Sequence, residues 1–576
     1  MTLNGFPHKR LRRHKSLLVG LGCFIEHRML ETLDPETTER IDALLVGMSV
    51  KDKIGQLLCP VAWDYDEVAC DKLIDRTLRR VEQYGVGCVF LAGGSEEATV
   101  KLTSRLSQVS DVPIIVCADM ENGAGGPVAG RMVFPAGMAC GAANDPAHVE
   151  TVGRAVAREG RALGVHWTLG PVSDLCLCPA NPMTFTRSYG CRPEHVARMA
   201  TAYIGGVQRG GRMSATAKHF PGDGAEEREP HICAAVNALS RDEWMDTYGR
   251  VWRAVIDAGV MTIMVGHISL PFVDGEAGAM GLPPATLSRK IQVDFLRDEL
   301  GFEGLTICDA ASMPGIAGYT DPVERCWRNV AAGTDVHLFS EPETDSDGAL
   351  AAVRDGRLTE ERLTEAARRV LELKARVGLF CDAPEPKTTP EERAGWQSTA
   401  QKIADNSIVV ARNVGDRLPV MLGAGSKVLT VTMLHTEGLR HGHVPDIPVV
   451  DEELRRRGIS VRHEVNLFRD ELRAIQGDYD AVFLNLCVRP RYGTTRMYGD
   501  MVMTLWKGYW REHPCVVFSS FGDPFKLQEI PYAPNWVMSF DDSEPSQRAM
   551  VKVWLGEMAA QGTCPVSLPG YFDVEV

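Results

Sequence analysis

The feature that most restricts the fold of this chain is an alternation. Between residues 36 and 380, short apolar runs recur at Gly87–Ala92, Pro113–Ala118, Val165–Leu169, Met213–Ala217, Val260–Val265, Leu305–Cys308 and Asp335–Phe339. Amphipathic stretches such as His148–Leu163 and Pro193–Gln208 separate them. A β-then-α unit repeated over roughly 340 residues closes as a (β/α)8 barrel with insertions or spreads as a large parallel sheet. A barrel gathers its chemistry at the C-terminal ends of its strands. Polar residues follow these runs in series: Asp119, Asp174, Lys218-His219, His267 and Asp309. One or two would be ordinary solvated strand ends. Five at equivalent positions favour one shared pocket.

The predicted class is α/β: a TIM-like barrel followed by a smaller α/β layered (sandwich) domain. Residues 1–35 read as a basic N-terminal extension, 36–381 as the barrel, 382–395 as a linker and 396–576 as the second domain. His8 to Lys15 is basic and Ser16 to Ile25 apolar, loosely like a signal peptide. Glu26-His27-Arg28 closes that run and no small-x-small cleavage site follows, so export is not expected. Leu363–Val377 reads as a helix ended by a left-handed cap at Gly378. The Pro-rich, charged stretch Asp382 to Pro390 then reads as a linker. Val428–Met433, Ala481–Cys487 and Cys515–Ser519 are strand candidates beyond it, with helices at Glu452–Gly458 and Ser546–Met558.

Composition narrows the function. At 576 residues with 44% hydrophobic residues the chain can bury two cores. Its net charge of -14 argues against nucleic acid or an anionic membrane as partner. No apolar run reaches the ~18 residues of a membrane span. The 16 scattered cysteines read as reduced thiols of a cytoplasmic protein. Cys176-Leu177-Cys178 lacks a second pair, so no metal is expected there. There is no P-loop, no H-E-x-x-H, no G-x-S-x-G, and Gly423-Ala424-Gly425 does not complete G-x-G-x-x-G. Gly123-Ala124-Gly125-Gly126 reads as a tight turn.

What remains is carboxylate and histidine chemistry. Asp309 directly follows Leu305–Cys308. A carboxylate fixed at a strand end suits a nucleophile that attacks an anomeric carbon. Glu229 and His231 share a loop, and a histidine beside a carboxylate can donate a proton and then take one back. Alone, that pair reads more readily as an exposed loop pair. The stretch Lys218-His219-Phe220-Pro221-Gly222-Asp223-Gly224 is more telling, because a Lys-His pair is uncommon at a strand end unless something polar is held there.

That stretch resembles the K-H-F-P-G-x-G signature of glycoside hydrolase family 3, in its β-N-acetylglucosaminidase branch. Met48–Leu57 resembles the family's opening helix, with a capping box from Ser49 and Asp52. Asp119-Met120-Glu121-Asn122-Gly123 resembles its D-x-E-x-G turn. Gly170-Pro171-Val172-Ser173-Asp174 and Arg187-Ser188-Tyr189-Gly190 resemble A-P-V-x-D and R-S-F-G. Glu229-Pro230-His231 resembles its D-x-H dyad, and Gly304–Met313 its nucleophile segment. Ser519–Pro524 and Pro565–Gly570 resemble parts of its second domain. Two departures stand out. The Arg that usually follows the D-x-E-x-G turn is absent, Arg131 being the next cation, and the dyad carboxylate is Glu229 in place of Asp.

The resemblance implies that Asp309 is the nucleophile and His231 the acid/base, oriented by Glu229. It implies that Asp119, Arg187, Lys218 and His219 bind hydroxyls of the terminal sugar, and that His267 and Met313 line the pocket. The reaction implied is retaining, exo-acting hydrolysis of terminal β-linked N-acetylglucosamine, with no metal or organic cofactor. Cell-wall amino-sugar fragments or chitooligosaccharides are suitable substrates. A β-N-acetylglucosaminide or β-glucoside phosphorylase on the same residues, with inorganic phosphate as a partner, is the first alternative. A catalytically weak sugar-binding protein is the second. Arg489, Arg491 and Arg496 read as a solvated basic loop that could also meet phosphate. A homodimer is left open.

Overall fold

The structure, a computed structural model, describes residues 32–573 apart from 64–66, 211, 382–386, 435–446, 489–495, 498–501, 503, 504, 506, 507, 509 and 511. The basic N-terminal segment up to residue 31, most of the Pro-rich stretch, and Arg489 and Arg491 lie outside the described residues.

Eight short parallel strands close a ring. They are β1 Leu58–Cys59, β2 Cys88–Leu91, β3 Ile115–Ala118, β4 Trp167–Thr168, β5 Thr216–Phe220, β6 Thr262–Val265, β7 Leu305–Cys308 and β8 His337–Leu338. β8 returns to β1 in parallel, with His337 opposite Leu58. β2, β3 and β4 form one arc and β5, β6 and β7 another. Bridges Val61–Phe90, Trp167–Ser214 and Ile307–Val336 join the arcs. This is the expected (β/α)8 barrel. Its interior is filled by side chains: Trp167 Nε1 lies 2.7 Å from Thr216 Oγ1 and 2.9 Å from Thr262 Oγ1.

β4 and β8 are shorter than the runs Val165–Leu169 and Asp335–Phe339, and two further strands differ more from the sequence reading. β1 was absent from it, because two strand residues directly follow helix Val50–Leu57 and merge with its apolar face. β5 was expected to end at Ala217 but runs to Phe220. Lys218 and His219 therefore lie within the strand. Each has a carboxylate partner, Asp119 and Glu121 for Lys218 and the buried Asp174 for His219, so charge does not end the strand there. The opening helix is capped as expected: the Ser49 amide donates to Asp52 Oδ2 at 3.0 Å and the Asp52 amide to Ser49 Oγ at 3.3 Å.

The second sheet has six strands: β9 Val409–Asn413, β10 Lys427–Met433, β11 Ser460–Val465, β12 Ala481–Leu486, β13 Val516–Ser520 and β14 Asn535–Met538. Their order is β9-β14-β13-β12-β10-β11, with β9 antiparallel and the others parallel. Alternate residues serve two cores, as expected of parallel strands covered on both faces. Val428 and Phe483 pack with Trp554 of helix Glu544–Trp554. Leu429, Val431 and Leu484 pack with Met138, Ala139 and Phe185 of the barrel. Residues 390–395, read as linker, are the first turns of helix Pro390–Ser407. The signal was Thr389-Pro390-Glu391-Glu392, a capping box with proline at the first helical position. The Glu392 amide donates to Thr389 Oγ1 at 3.2 Å.

Among the described residues no helix is long and apolar enough to cross a membrane. Every cysteine among them is a free thiol.

Candidate active site

The K-H-F-P-G-D-G stretch turns from β5 into a loop whose shape is imposed from below. The indoles of Trp244 and Trp252 both donate to the Pro221 carbonyl, at 3.0 and 3.2 Å. Gly222 has a positive φ of 127°, and a Cβ there would lie 2.2 Å from the Tyr248 ring. The Tyr248 hydroxyl donates to the Asp223 carbonyl at 2.6 Å. Only glycine at 222 allows both the turn and that contact. Asn181 donates to Asp223 Oδ1 at 2.8 Å, and burial pushes the Asp223 carboxyl up to about 6.

Lys218 leaves β5 into a carboxylate pair. Its Nζ lies 2.7 Å from Asp119 Oδ1 and 2.8 Å from Glu121 Oε1. Arg187 closes the cluster by a two-point bond to Glu121, Nη2 to Oε1 at 2.7 Å and Nε to Oε2 at 3.1 Å. Burial opposes the charges of Glu121, Lys218 and Arg187, but their partners prevail. Glu121 is held below the usual carboxylate range by Arg187 and Lys218. Lys218 is raised by Asp119 and Glu121. Arg131 lies elsewhere, paired with Glu96 and, at 3.9 Å, with Glu159. The cations at the mouth of the barrel are thus Arg187 and Lys218, both held by carboxylates.

His219 is fixed by Asp174. Nδ1 lies 2.7 Å from Asp174 Oδ2, and the backbone amides of His219 and Asp223 also donate to that buried carboxylate. Burial works against the charged ring, and Asp174 overcomes it to raise the His219 pKa.

Asp309 follows β7, with its amide bonded to the Val265 carbonyl at 2.9 Å and its Oδ1 accepting from the Ala310 amide at 2.8 Å. Burial would raise its pKa. The fields of His219, His267 and His231 outweigh that and hold it down to about 2. Asp309 is therefore ionised at neutral pH.

His267 is buried beside it. Its Nε2 lies 3.0 Å from the Ala310 carbonyl, which can only accept, so Nε2 carries the proton and Nδ1 accepts from Thr286 Oγ1 at 2.9 Å. Burial lowers its pKa, in keeping with a neutral ring. Both nitrogens are thus spent on protein, and His267 acts on the loop after Asp309. Met313 is buried at the start of helix Pro314–Ala317, its amide bonded to the Ala310 carbonyl at 3.0 Å.

Glu229 and His231 form a closed pair. Glu229 Oε2 accepts from the His231 amide and lies against His231 Nδ1, both at 2.8 Å. Glu229 is fully buried, whereas the His231 side chain keeps 28% of its surface exposed. The longer Glu arm folds back onto the amide two residues ahead, so the extra methylene does not cost the contact. The Gly315 amide donates to the Pro230 carbonyl at 2.9 Å, joining this loop to the segment after Asp309.

The structure thus brings Asp119, Arg187, Lys218, His219, His267, Asp309 and Met313 to the C-terminal mouth of the barrel, with Glu229 and His231 on a loop tied to it. Sequence reasoning gave no role to Glu121, which holds Arg187 and Lys218, nor to Asp174, which holds His219. Both stood in motifs already noticed, and Glu121 is two residues from Asp119.

The chain has counterparts among known proteins. The model for the N-terminal domain of glycosyl hydrolase family 3 matches residues 49–373. A β-N-acetylglucosaminidase/β-glucosidase of Cellulomonas fimi is 30% identical over 564 residues, covering 93% of this chain and 96% of that protein. The solved structure of a β-glucoside phosphorylase bound to 2FGlc superposes with a TM-score of 0.84 at 28% identity, over 93% of this chain and 97% of that one. A family 3 β-N-acetylglucosaminidase from Paenibacillus gives 0.80 at 26% identity, over 92% and 100%. The resemblance carried by the short motifs extends over nearly the whole chain, which belongs to glycosyl hydrolase family 3.

Proposed function

We propose that this chain is a retaining, exo-acting β-N-acetylglucosaminidase. The observation that carries the reading is the His231–Glu229 pair on a loop bonded to the Asp309 segment. It supplies an acid/base and a nucleophile on linked loops, which is what double displacement requires. Asp309, ionised, attacks the anomeric carbon and forms a glycosyl ester. Glu229 engages Nδ1 of His231, so Nε2 delivers the proton to the leaving oxygen. Neutral His231 then draws a proton from water, which attacks the ester and releases the sugar with retained configuration. Arg187, Lys218, His219 and Asp119 hold the hydroxyls of the terminal sugar. The 2-acetamido preference rests on the similarity to the Cellulomonas and Paenibacillus proteins. The buried free thiols suit a reducing compartment, and we read the enzyme as cytoplasmic.

A second reading has a specific observation behind it. The structural likeness to a β-glucoside phosphorylase is as close as that to the acetylglucosaminidase. A neutral histidine, unlike a carboxylate base, does not repel phosphate at close range. Phosphate could then attack the ester in place of water. One assay separates the readings: aryl N-acetylglucosaminide and aryl glucoside, each with and without millimolar phosphate, with products identified by NMR. Free N-acetylglucosamine in both buffers supports hydrolysis. Predominant sugar 1-phosphate overturns it, and a clear preference for the glucoside overturns the substrate.

A further inference from the structure

Behind the nucleophile strand lies a second cluster of reactive side chains. Cys326 comes from helix Pro322–Ala332, His337 from β8 and Asp345 from helix Pro342–Arg354. All three are buried, and one donor atom from each lies within 4.8 Å of the other two. Among the described residues no other group of three or more His, Cys, Asp or Glu side chains comes together in this way. His337 Nε2 and Asp345 Oδ2 are 3.8 Å apart, too far for a hydrogen bond.

The neighbours fix which nitrogen of His337 carries the proton. Thr334 Oγ1 lies 2.8 Å from Gln292 Oε1 and 2.7 Å from the side-chain amide of Asn329. A hydroxyl has one proton to give. Gln292 is held in orientation, because its Nε2 donates to the Ala285 and Thr286 carbonyls, both at 3.0 Å. The Thr334 proton therefore goes to Gln292, and its lone pair faces Asn329. Asn329 satisfies that lone pair with its NH2 group, since the two ends of an amide are interchangeable by a half-turn. As placed, Asn329 Nδ2 lies 3.1 Å from His337 Nδ1, and the half-turn puts the amide oxygen there instead. In that orientation Nδ1, which also has Cys308 Sγ at 3.7 Å, carries the proton, and Nε2 presents its lone pair toward Asp345. An amide oxygen that fixes a histidine in this tautomer is the usual outer support of a metal ligand.

We propose that Cys326, His337 and Asp345 bind a zinc ion through three protein ligands. A sulfur, an imidazole nitrogen and a carboxylate oxygen are the donors zinc prefers. Closing the trio by about 1 Å gives the ~3.3–3.8 Å ligand separations of a tetrahedral site. The ion displaces the Cys326 thiol proton to solvent and pairs with the Asp345 carboxylate. The role follows from position. Arg325, next to Cys326, donates to the Ala311 carbonyl at 2.7 Å, two residues after Asp309. A zinc ion here clamps two helices to β8 and, through Arg325, steadies the segment that holds the nucleophile.

The test uses the full-length protein. It is stripped with a chelator, dialysed against micromolar zinc, desalted and analysed for metal. A parallel sample takes cobalt. Retained zinc, a thiolate-to-cobalt absorption band lost in Cys326→Ser, and a zinc-dependent rise in melting temperature that Asp345→Asn abolishes are the expected results. Folded wild-type protein that keeps no zinc and shows no shift in melting temperature overturns the proposal. So does a cobalt spectrum unchanged by Cys326→Ser. None of these readouts depends on the sugar reaction.

Discussion

The amide of Gly315 and the carbonyl of Pro230 meet at 2.9 Å, and through that bond the loop of the proposed acid/base rests on the loop that follows the proposed nucleophile. The contact is tight. A Cβ at position 315 would lie 2.9 Å from His267 Cβ and 3.0 Å from both the Cβ and the oxygen of Pro230. Gly315→Ala should cost about 1–3 kcal/mol by overpacking. It should also lower kcat more for alkyl than for aryl N-acetylglucosaminides, because His231 is displaced. Equal losses on both substrates would mean that the two loops are not coupled.

Asp309→Asn should lower turnover by several powers of ten, since no ester can form on an amide. Mass spectrometry after incubation with a slow fluorinated N-acetylglucosaminide should find the sugar on the peptide that contains Asp309. Label on any other carboxylate would sink the assignment.

For His231 the leaving group is the probe. His231→Ala should cost roughly 10²–10⁴-fold on substrates that need protonation and far less on activated aryl glycosides. Glu229→Gln should follow the same pattern with a smaller loss, because the amide can still accept from Nδ1 but no longer faces the ring with a charge. A Glu229→Gln enzyme that matches wild type on every leaving group would reduce the pair to a structural contact.

Glu121 gathers Arg187 and Lys218 on one carboxylate. Glu121→Ala should destabilise the fold by about 3 kcal/mol, because it leaves two largely buried cations short of a partner. It should also raise KM. Urea unfolding together with Michaelis curves checks both parts, and an unchanged KM would remove the cluster from sugar binding.

The low pKa of Asp309 has a defined pH signature. Its folded value, about 2, lies below the ordinary 3.8, so the stability it contributes is fully present above about pH 4 and is lost as pH falls through 2. Asp309→Asn should therefore flatten the acid end of a stability-versus-pH curve and leave the neutral range unchanged in slope. Any acid limb of kcat/KM above about pH 4 belongs to another group. A limb there that vanished only with Asp309 would contradict the stated pKa.

The sequence revealed most where local pattern and tertiary environment agree. Leu305–Cys308 is a strand from end to end as predicted, because a four-residue, mostly apolar run between turns is too short for a helix. It revealed less where a buried partner changes a residue's meaning. Lys218 and His219 looked like a strand end, since nothing local announces the carboxylates of Asp119, Glu121 and Asp174 that hold them within β5. Glu121 was visible inside its motif, but its hold on Arg187 spans 66 positions. Cys326, His337 and Asp345 carry no recognisable spacing, because a helix, a strand and another helix each supply one of them. Helix Pro390–Ser407 was hidden by its own proline, which opens helices as readily as it breaks them.

The seam between barrel and sandwich bears on how the enzyme could be trimmed or redesigned. The Cys191 amide donates to the Pro565 carbonyl at 3.0 Å, the Thr563 amide to Ala142 at 3.0 Å, and the Ala136 amide to Asp541 Oδ1 at 3.2 Å. Cys191 is four residues from Arg187, and a Cβ on Gly190 would lie 2.6 Å from the Pro565 oxygen. The C-terminal tail thus works as a rear splint for the segment that carries Arg187, proposed above to hold the sugar. A shortened version ending at the barrel would bare an oily seam and slacken that grip at once. Anyone seeking to retune substrate preference has a handle near Pro565, well away from the reacting bond.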